Sequence, residues 1–293
     1  MGLKWRDKIL LVKLEDTYGV DPNPTGAANA VLAVDVSLTP MEGNDVSRDL
    51  ETPYLGAQAT IPTELHMKLA YKVELQGSGA AGTAPAWGPL LRACAVAEVI
   101  DPGVSVTYNP VSDDHESVTQ HLWISGTQYK LTGCRGTVKL SYTAQGIPYL
   151  EFAFSGLFTK PGEVARPVPD LTAFQKPLVV ADRNTPTFTL GGTDFVMRSC
   201  MLDLGNAVEA RFLVNSESIE ITDRSDVLEA KVEAVRLTTF DPFDLAASQA
   251  AVAHMPGAFG KGTTFNMLNW VVEKGYEGDE PFQKYHARKL EEQ

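Results

Sequence analysis

The residues best equipped for chemistry stand together at Asp113-Asp114-His115-Glu116. Carboxylates and an imidazole can hold a divalent cation or pass a proton between them as general acid and base. Their consecutive spacing works against both. Neighbouring side chains on a strand point to opposite faces, and on a helix they fan out by about 100° each, so no three converge without an unusual loop. The stretch reads as a solvated loop that caps the next turn. His66 falls on the polar side of an alternating strand, the position of an exposed histidine.

No other stretch supplies a reaction centre. The sequence has no GxSxG elbow, Walker loop, HExxH pair or dinucleotide-binding fingerprint. The glycine runs at Gly77-Ser78-Gly79 and from Gly257 to Gly262 are not followed by helices that could offer amides to a phosphate, and they read as linkers. Three cysteines, Cys94, Cys134 and Cys200, are too few for a disulfide framework and odd in number. They are expected to be small buried residues of a protein made in a reducing cytoplasm. The sequence therefore predicts no catalytic, metal or cofactor site, which counts against an enzyme.

The stretch GTQYKLTGC (Gly126 to Cys134) is echoed by GTDFVMRSC (Gly192 to Cys200). Glycine, threonine and cysteine coincide, and Tyr129 matches Phe195. Each copy follows an apolar run and reads as the turn and second strand of a β-hairpin. Nine positions can arise by duplication of a β-unit or by chance convergence of two hairpins. Lys231-Val232-Glu233 also matches Lys72-Val73-Glu74 but in permuted order, which weakens a simple tandem repeat.

Alternation predicts strands over most of the chain. Trp5 to Glu15 reads as part of an N-terminal arm spanning residues 1–29. Ala30 to Thr39 is a strand that Pro40 should stop, and Pro40 to Ala59 is a long polar loop of the kind that binds something or moves. Glu64 to Leu75 gives the clearest half-buried strand, with Leu65, Met67, Leu69, Tyr71 and Val73 in phase against Glu64, His66, Lys68, Lys72 and Glu74. Pro85 to Val96 has helical spacing. A first β domain closes near residue 160, five prolines stiffen a linker over 161–186, and a second β domain occupies 187–293. That second domain should carry a short helix from Asp241 to His254 and end in a charged tail from Lys274.

The chain holds 293 residues, with 25 Lys and Arg against 37 Asp and Glu, a net charge of −12. An acidic surface argues against tight nucleic-acid binding through phosphate neutralisation. It suits a protein that must let DNA pass without holding it. The N-terminal run is broken by Lys13 and Glu15, so no signal peptide is expected, and no apolar window approaches the roughly 20 residues of a membrane span. The long loop, arm, linker and tail cost ordering entropy that neighbouring copies would offset in a self-assembling protein.

Five stretches in order carry a family resemblance: Lys13 to Pro40, Pro40 to Asp49, Trp87 to Glu98, Val106 to Thr119 and Gly146 to Pro161. Together they resemble the major tail tube proteins of long, non-contractile-tailed bacteriophages over about the first 160 residues. The resemblance implies a mainly β fold of two tail-tube-like β-sandwich or rolled-barrel domains, each with a short flanking helix. It implies homo-trimeric or homo-hexameric rings that stack into a tube in the virion tail, with genomic DNA passing through an acidic lumen without specific binding. Tape measure, terminator and distal tail proteins are the implied partners. Carried onto this sequence, Met41, Glu42, Asn44, Asp45, Arg48, Asp49, Glu51 and Tyr54 would contact the adjacent ring. Glu64, His66, Lys68, Lys72 and Glu74 would belong to the lumen-facing sheet.

Three other readings compete. A carbohydrate-binding or adhesive β-sandwich would expose aromatics on one face, with Trp123, Tyr129 and Tyr149 as candidates. An enzyme would use Asp113, His115 and Glu116. A terminator or adaptor ring would share the domain and stop after one ring.

Overall fold

The computed structural model describes residues 4–190 and 193–240, together with the backbone of four strands beyond them. It is mainly β. In chain order the elements are β1 (Lys8–Leu14), α1 (Gly26–Asn29), β2 (Ala30–Val31), β3 (Ala33–Val46), β4 (Ile61–Glu74), α2 (Gly88–Arg92), β5 (Val96–Asp101) and β6 (Ser105–Pro110). Then come β7 (Val118–Ile124), β8 (Thr127–Thr143), β9 (Tyr149–Phe158), β10 (Gly162–Glu163), β11 (Thr189–Leu190), β12 (Thr193–Asp194) and β13 (Met197–Asp203). The chain continues through β14 (Asn206–Leu213), β15 (Ser216–Arg224), β16 (Val227–Glu233), β17 (Ala253–His254), β18 (Thr263–Phe265), β19 (Trp270–Glu277) and β20 (Phe282–Lys289).

Strand β8 is the junction. Its first half pairs with β7, its middle with β9 and its end with β13, all antiparallel. The change of partners needs a bend, and the ladder to β9 slips between Thr132 and Arg135, where Gly133 holds φ +58°. A bulge with glycine in the left-handed region turns a strand in this way. From the junction one wing runs through β7 and β1 to β2, another through β13, β16 and β20 to β19, and a third through β9 and β4 to β3. Strands from both sides of residues 161–186 thus share one sheet.

The alternation read for β4 holds: Met67, Leu69, Tyr71 and Val73 are buried, and Lys68 is exposed. Its register continues the apolar face across neighbours, Leu69 beside Phe154, Tyr71 beside Phe152 and Val73 beside Leu150. Val138 and Leu140 on β8, Cys200 and Leu202 on β13, and Leu228, Ala230 and Val232 on β16 extend it into one core, closed by Trp87, Leu90 and Leu91 around α2. A smaller cluster of Ile9, Leu11, Ala30 and Trp123 lies apart from that core, with Leu171 packed against it.

Several expectations change. Residues 8–14, read within an arm, form a core strand between β7 and β2, because the run Ile9 to Val12 is buried throughout. Pro40 does not stop its strand. It lies in β3, which among the described strands pairs with β4 alone, at a register shift between Thr39 and Glu42, the edge-and-bulge setting where proline removes no needed hydrogen bond. The helix read over Pro85 to Val96 shrinks to α2, and the chain turns directly into β5, where Ala95 takes φ +58°. The charged tail from Lys274 carries the end of β19 and all of β20, which pairs with β16. Of the helix read from Asp241 to His254, residues 241–252 lie outside the described residues, and Ala253–His254 is a short strand.

Candidate assembly surfaces

The first surface is the long hairpin β3–β4. From His66 onward β4 is flanked by β9, but from Ile61 to Leu65 it pairs with β3 alone, so the hairpin leaves the sheet body by about 17 Å at about 3.4 Å per residue. Residues 47–60 at its end have no regular structure, and every residue from Gly43 to Pro62 is exposed. Tyr54 is 81% and Leu55 106% exposed. An exposed loop of fourteen residues would fluctuate widely without internal ties. Here the Leu50 amide donates to Gln58 Oε1 at 2.7 Å, Gln58 Nε2 donates back to the Leu50 carbonyl, and Ser47 Oγ donates to Asp49 at 2.5 Å.

The residues read as an adjacent-ring contact divide between two settings. Met41, Glu42, Asn44 and Asp45 lie in β3, whereas Arg48, Asp49, Glu51 and Tyr54 lie in the exposed end. Glu42 accepts from Lys68 Nζ at 2.6 Å and Asn44 Nδ2 donates to Glu64 at 2.5 Å, so these two brace the hairpin stem.

The second surface is the polar face of the sheet. Lys68, Lys72 and Glu74 continue in register through Ser155, Glu151 and Tyr149 of β9 to Arg135, Lys139 and Ser141 of β8, and then to Asp203 and Met201 of β13. Its lysines are matched by carboxylates. Lys72 Nζ lies 3.8 Å from both Asp35 and Glu151, and Lys139 Nζ lies 3.0 Å from Asp203. His66 is drawn away from this open area: its ring sits 6.2 Å from Phe212 of the β14–β15 hairpin, which crosses that end of the face. Glu64, at φ +56°, belongs to the projecting stem.

A cluster that the sequence did not single out holds the hairpin β14–β15 and the N-terminal turn in place. The Glu15 carboxylate accepts from the Gly19 amide at 2.8 Å, Ser117 Oγ at 2.6 Å, Thr119 Oγ1 at 2.6 Å and the Gly133 amide at 2.7 Å. Tyr18 Oη donates to the Gly133 carbonyl at 3.2 Å and accepts from the Ile219 amide at 2.6 Å, and Arg135 lies over its ring. Asp21 Oδ2 lies 3.0 Å from both His121 Nε2 and Lys130 Nζ. Burial pushes the Asp21 carboxyl up, but the Asn23 amide, Lys130 and His121 outweigh it and leave it below the ordinary range. Burial lowers His121, and Gln128 Nε2 donating to Nδ1 fits a neutral ring with its proton on Nε2. Periodicity carries no signal for these groups, because their partners are a hundred residues distant.

Asp113, Asp114 and Glu116, but not His115, line an open cavity of about 680 Å³ with Arg92, Val96, Glu98 and Val111. Its groups do not converge. Glu116 is engaged by Arg92 at 2.6 and 2.5 Å, and Glu98 accepts from Tyr108 Oη at 2.6 Å. Burial, then Arg135, lowers His115, whose carbonyl accepts from the same arginine. Among the described residues no three His, Cys, Asp or Glu side chains are placed to hold a metal. All three cysteines are buried, and burial, helped by Glu229, pushes the Cys200 thiol up to about 12. The candidate aromatics form no common platform: Trp123 is buried, its neighbour in register is Gln128, and Tyr149 stands at the far end of β9.

Compared with known proteins, the chain matches a family model for phage tail tube protein over residues 5–253, a span that opens before β1 and closes within β17. No curated protein matches it.

Proposed function

The chain belongs to the phage tail tube proteins, structural components of the virion tail that assemble with themselves and with other tail proteins, and from that premise we propose that its copies form rings that stack into the conduit for genomic DNA. The projecting β3–β4 hairpin carries this reading, since an exposed end bearing Leu50, Tyr54 and Leu55 is costly unless a neighbour covers it. A contact between two different surfaces of one chain closes into a ring where its rotation allows and otherwise propagates into a filament, and a tube of stacked rings uses both kinds.

In this reading the polar face containing Lys68, Lys72 and Glu74 borders the lumen. Lysines already matched by Asp35, Glu42, Glu151 and Asp203 have little left to offer a phosphate backbone, so DNA would slide past without counterion-driven capture. Rings of three copies follow if residues 30–160 and 187–293 are two related units, and rings of six if only the first lines the tube. Tape measure, terminator and distal tail proteins would meet the ends of the stack.

Electron microscopy of the purified protein over a concentration series tests this, with the rotational symmetry read from end views. Tubes are expected. Replacing residues 47–60 by a two-residue Asn-Gly turn should leave a folded protein, because the ladder already closes at Val46 and Ile61, yet abolish tubes. Normal tubes from that variant would remove the hairpin from stacking.

A further inference from the structure

The hairpin leaves one end of the sheet, and the opposite end carries a second exposed apolar surface built largely by residues 176–183. Strand β4 finishes there, with the Leu75 amide donating to the Pro148 carbonyl at 2.9 Å. Around that point the Gln145 amide donates to the Val180 carbonyl at 2.7 Å, the Val180 amide to Gly146 at 2.9 Å, and the Ala144 amide to Arg198 at 2.8 Å. The turn between β8 and β9, the stretch around Val180 and the start of β13 are therefore one fixed platform. On it Ile147, Leu178 and Val179 are exposed. These are large aliphatic groups on rigid backbone, with Val180 anchored in the core beneath them.

We propose that this platform is the seat for the β3–β4 hairpin end of a second copy of the chain. The proposal rests on the assembly reading above and names the surface that completes it. Three observations choose a second copy as the occupant. The family assembles with itself. The hairpin and the platform lie at opposite ends of β4, so docking one on the other translates each copy along the strand direction and repeats without closure. Their charges also complement: Asp45, Asp49 and Glu51 outnumber Arg48 on the hairpin end, while Lys176 and Arg183 outnumber Asp182 on the platform. Leu50, Tyr54 and Leu55 would then cover Ile147, Leu178 and Val179.

Residues 161–186, which read as a linker, acquire a role in this arrangement. They are strapped to the body at both ends, by the Arg166–Asp7 ion pair at 2.5 and 2.6 Å and by the Val180 bonds. A stretch fixed in this way can present a docking surface without a further ordering cost.

The test uses the full chain with Leu55→Cys and Val179→Cys together, assembled, oxidised, and run on a denaturing gel without reductant. The native cysteines are buried, so the two added thiols are the ones that oxidise. A ladder of covalent multimers is expected, and none from Leu55→Cys paired with Val99→Cys, an exposed edge position elsewhere. As a second measurement, Lys176→Glu with Arg183→Glu should reduce tube yield at least tenfold, with recovery on adding Asp49→Lys and Glu51→Lys. Tubes that form but give no ladder, or charge reversal without effect, would overturn the platform assignment alone. A wild-type chain that never forms tubes would overturn the assembly reading as well.

Discussion

Replacing Glu15 by alanine should destabilise the protein far more than its half-exposed position suggests. The carboxylate satisfies four donors, and three of them belong to residues with almost no exposure: Thr119 at 0%, Ser117 at 5% and the buried Gly133. A buried donor left without an acceptor costs about 1–3 kcal/mol. The hydroxyls can turn toward other oxygens, so about 1 kcal/mol each is a fair share, whereas the Gly133 amide is fixed by the bulge and loses about 2 kcal/mol. The Gly19 amide can reach water and adds little. The sum of about 4 kcal/mol is a large part of a domain's total stability of about 5–15 kcal/mol. Urea unfolding followed by the fluorescence of buried Trp87 and Trp123 measures it, and amide exchange at Ile219 should quicken because the Glu15 turn positions Tyr18. Glu15→Gln keeps an oxygen but points an amide at donors, and should fall between. A Glu15→Ala protein within about 0.5 kcal/mol of wild type, the range of ordinary surface changes, would refute the reasoning.

Gly133→Ala should cost about 2 kcal/mol or more, since φ +58° strains any other residue by about 1–2 kcal/mol and the new Cβ would lie 2.7 Å from the Tyr18 ring. In a Tyr18→Ala background the increment should shrink, and an unchanged increment would assign the cost to the backbone alone. Acid should loosen the Asp21–His121–Lys130 cluster. Both Asp21 and His121 are held below their ordinary values, so each contributes stability that is full above its unfolded value and is lost as pH falls through the folded one. The His121 part goes first, below the ordinary 6.5, and the Asp21 part below 3.8. His115 is lowered too, so the check is a comparison: His121→Gln should flatten the fall in thermal midpoint just below pH 6.5, and equal slopes would exclude His121.

Where side chains alternate against a single buried face, the sequence was legible. In β4 Met67, Leu69, Tyr71 and Val73 are all buried, and from Leu69 to Val73 each meets an aromatic or aliphatic partner on β9, so the period alone reported the face. The strand at Lys8–Leu14 was hidden because its Ile9 to Val12 run is buried on both sides, one facing the core and the other the cluster beside Leu171, and a doubly buried strand has no alternation to read. Pro40 misled because its penalty depends on which edge its missing N–H would have served. The Glu15, Tyr18 and Asp21 cluster joins the N-terminal turn to β7, β8 and β15 through partners far away in the chain, and only the folded topology brings them together. The exposed hairpin end was visible as composition, but the extension of β3 to Val46, which makes it a rigid projection, was not.

The arrangement of charge follows from the same alternation. Apolar residues claim one face of β4, β9, β8 and β13, which leaves the other face to Lys68, Lys72, Lys139, Glu74, Glu151 and Asp203 at cross-strand distances where opposite signs attract and like signs repel. Pairing on the sheet therefore comes near to balance, and further carboxylates lie off it, among them Asp45, Asp49 and Glu51 of the hairpin end and Asp113 and Asp114 of the cavity rim. A net charge of −12 is thus no guide to the sign of the sheet face. In the proposed conduit, the wall needs few unpaired cations more than it needs a surplus of anions, because a lysine balanced by a carboxylate attracts a phosphate less than one without a partner.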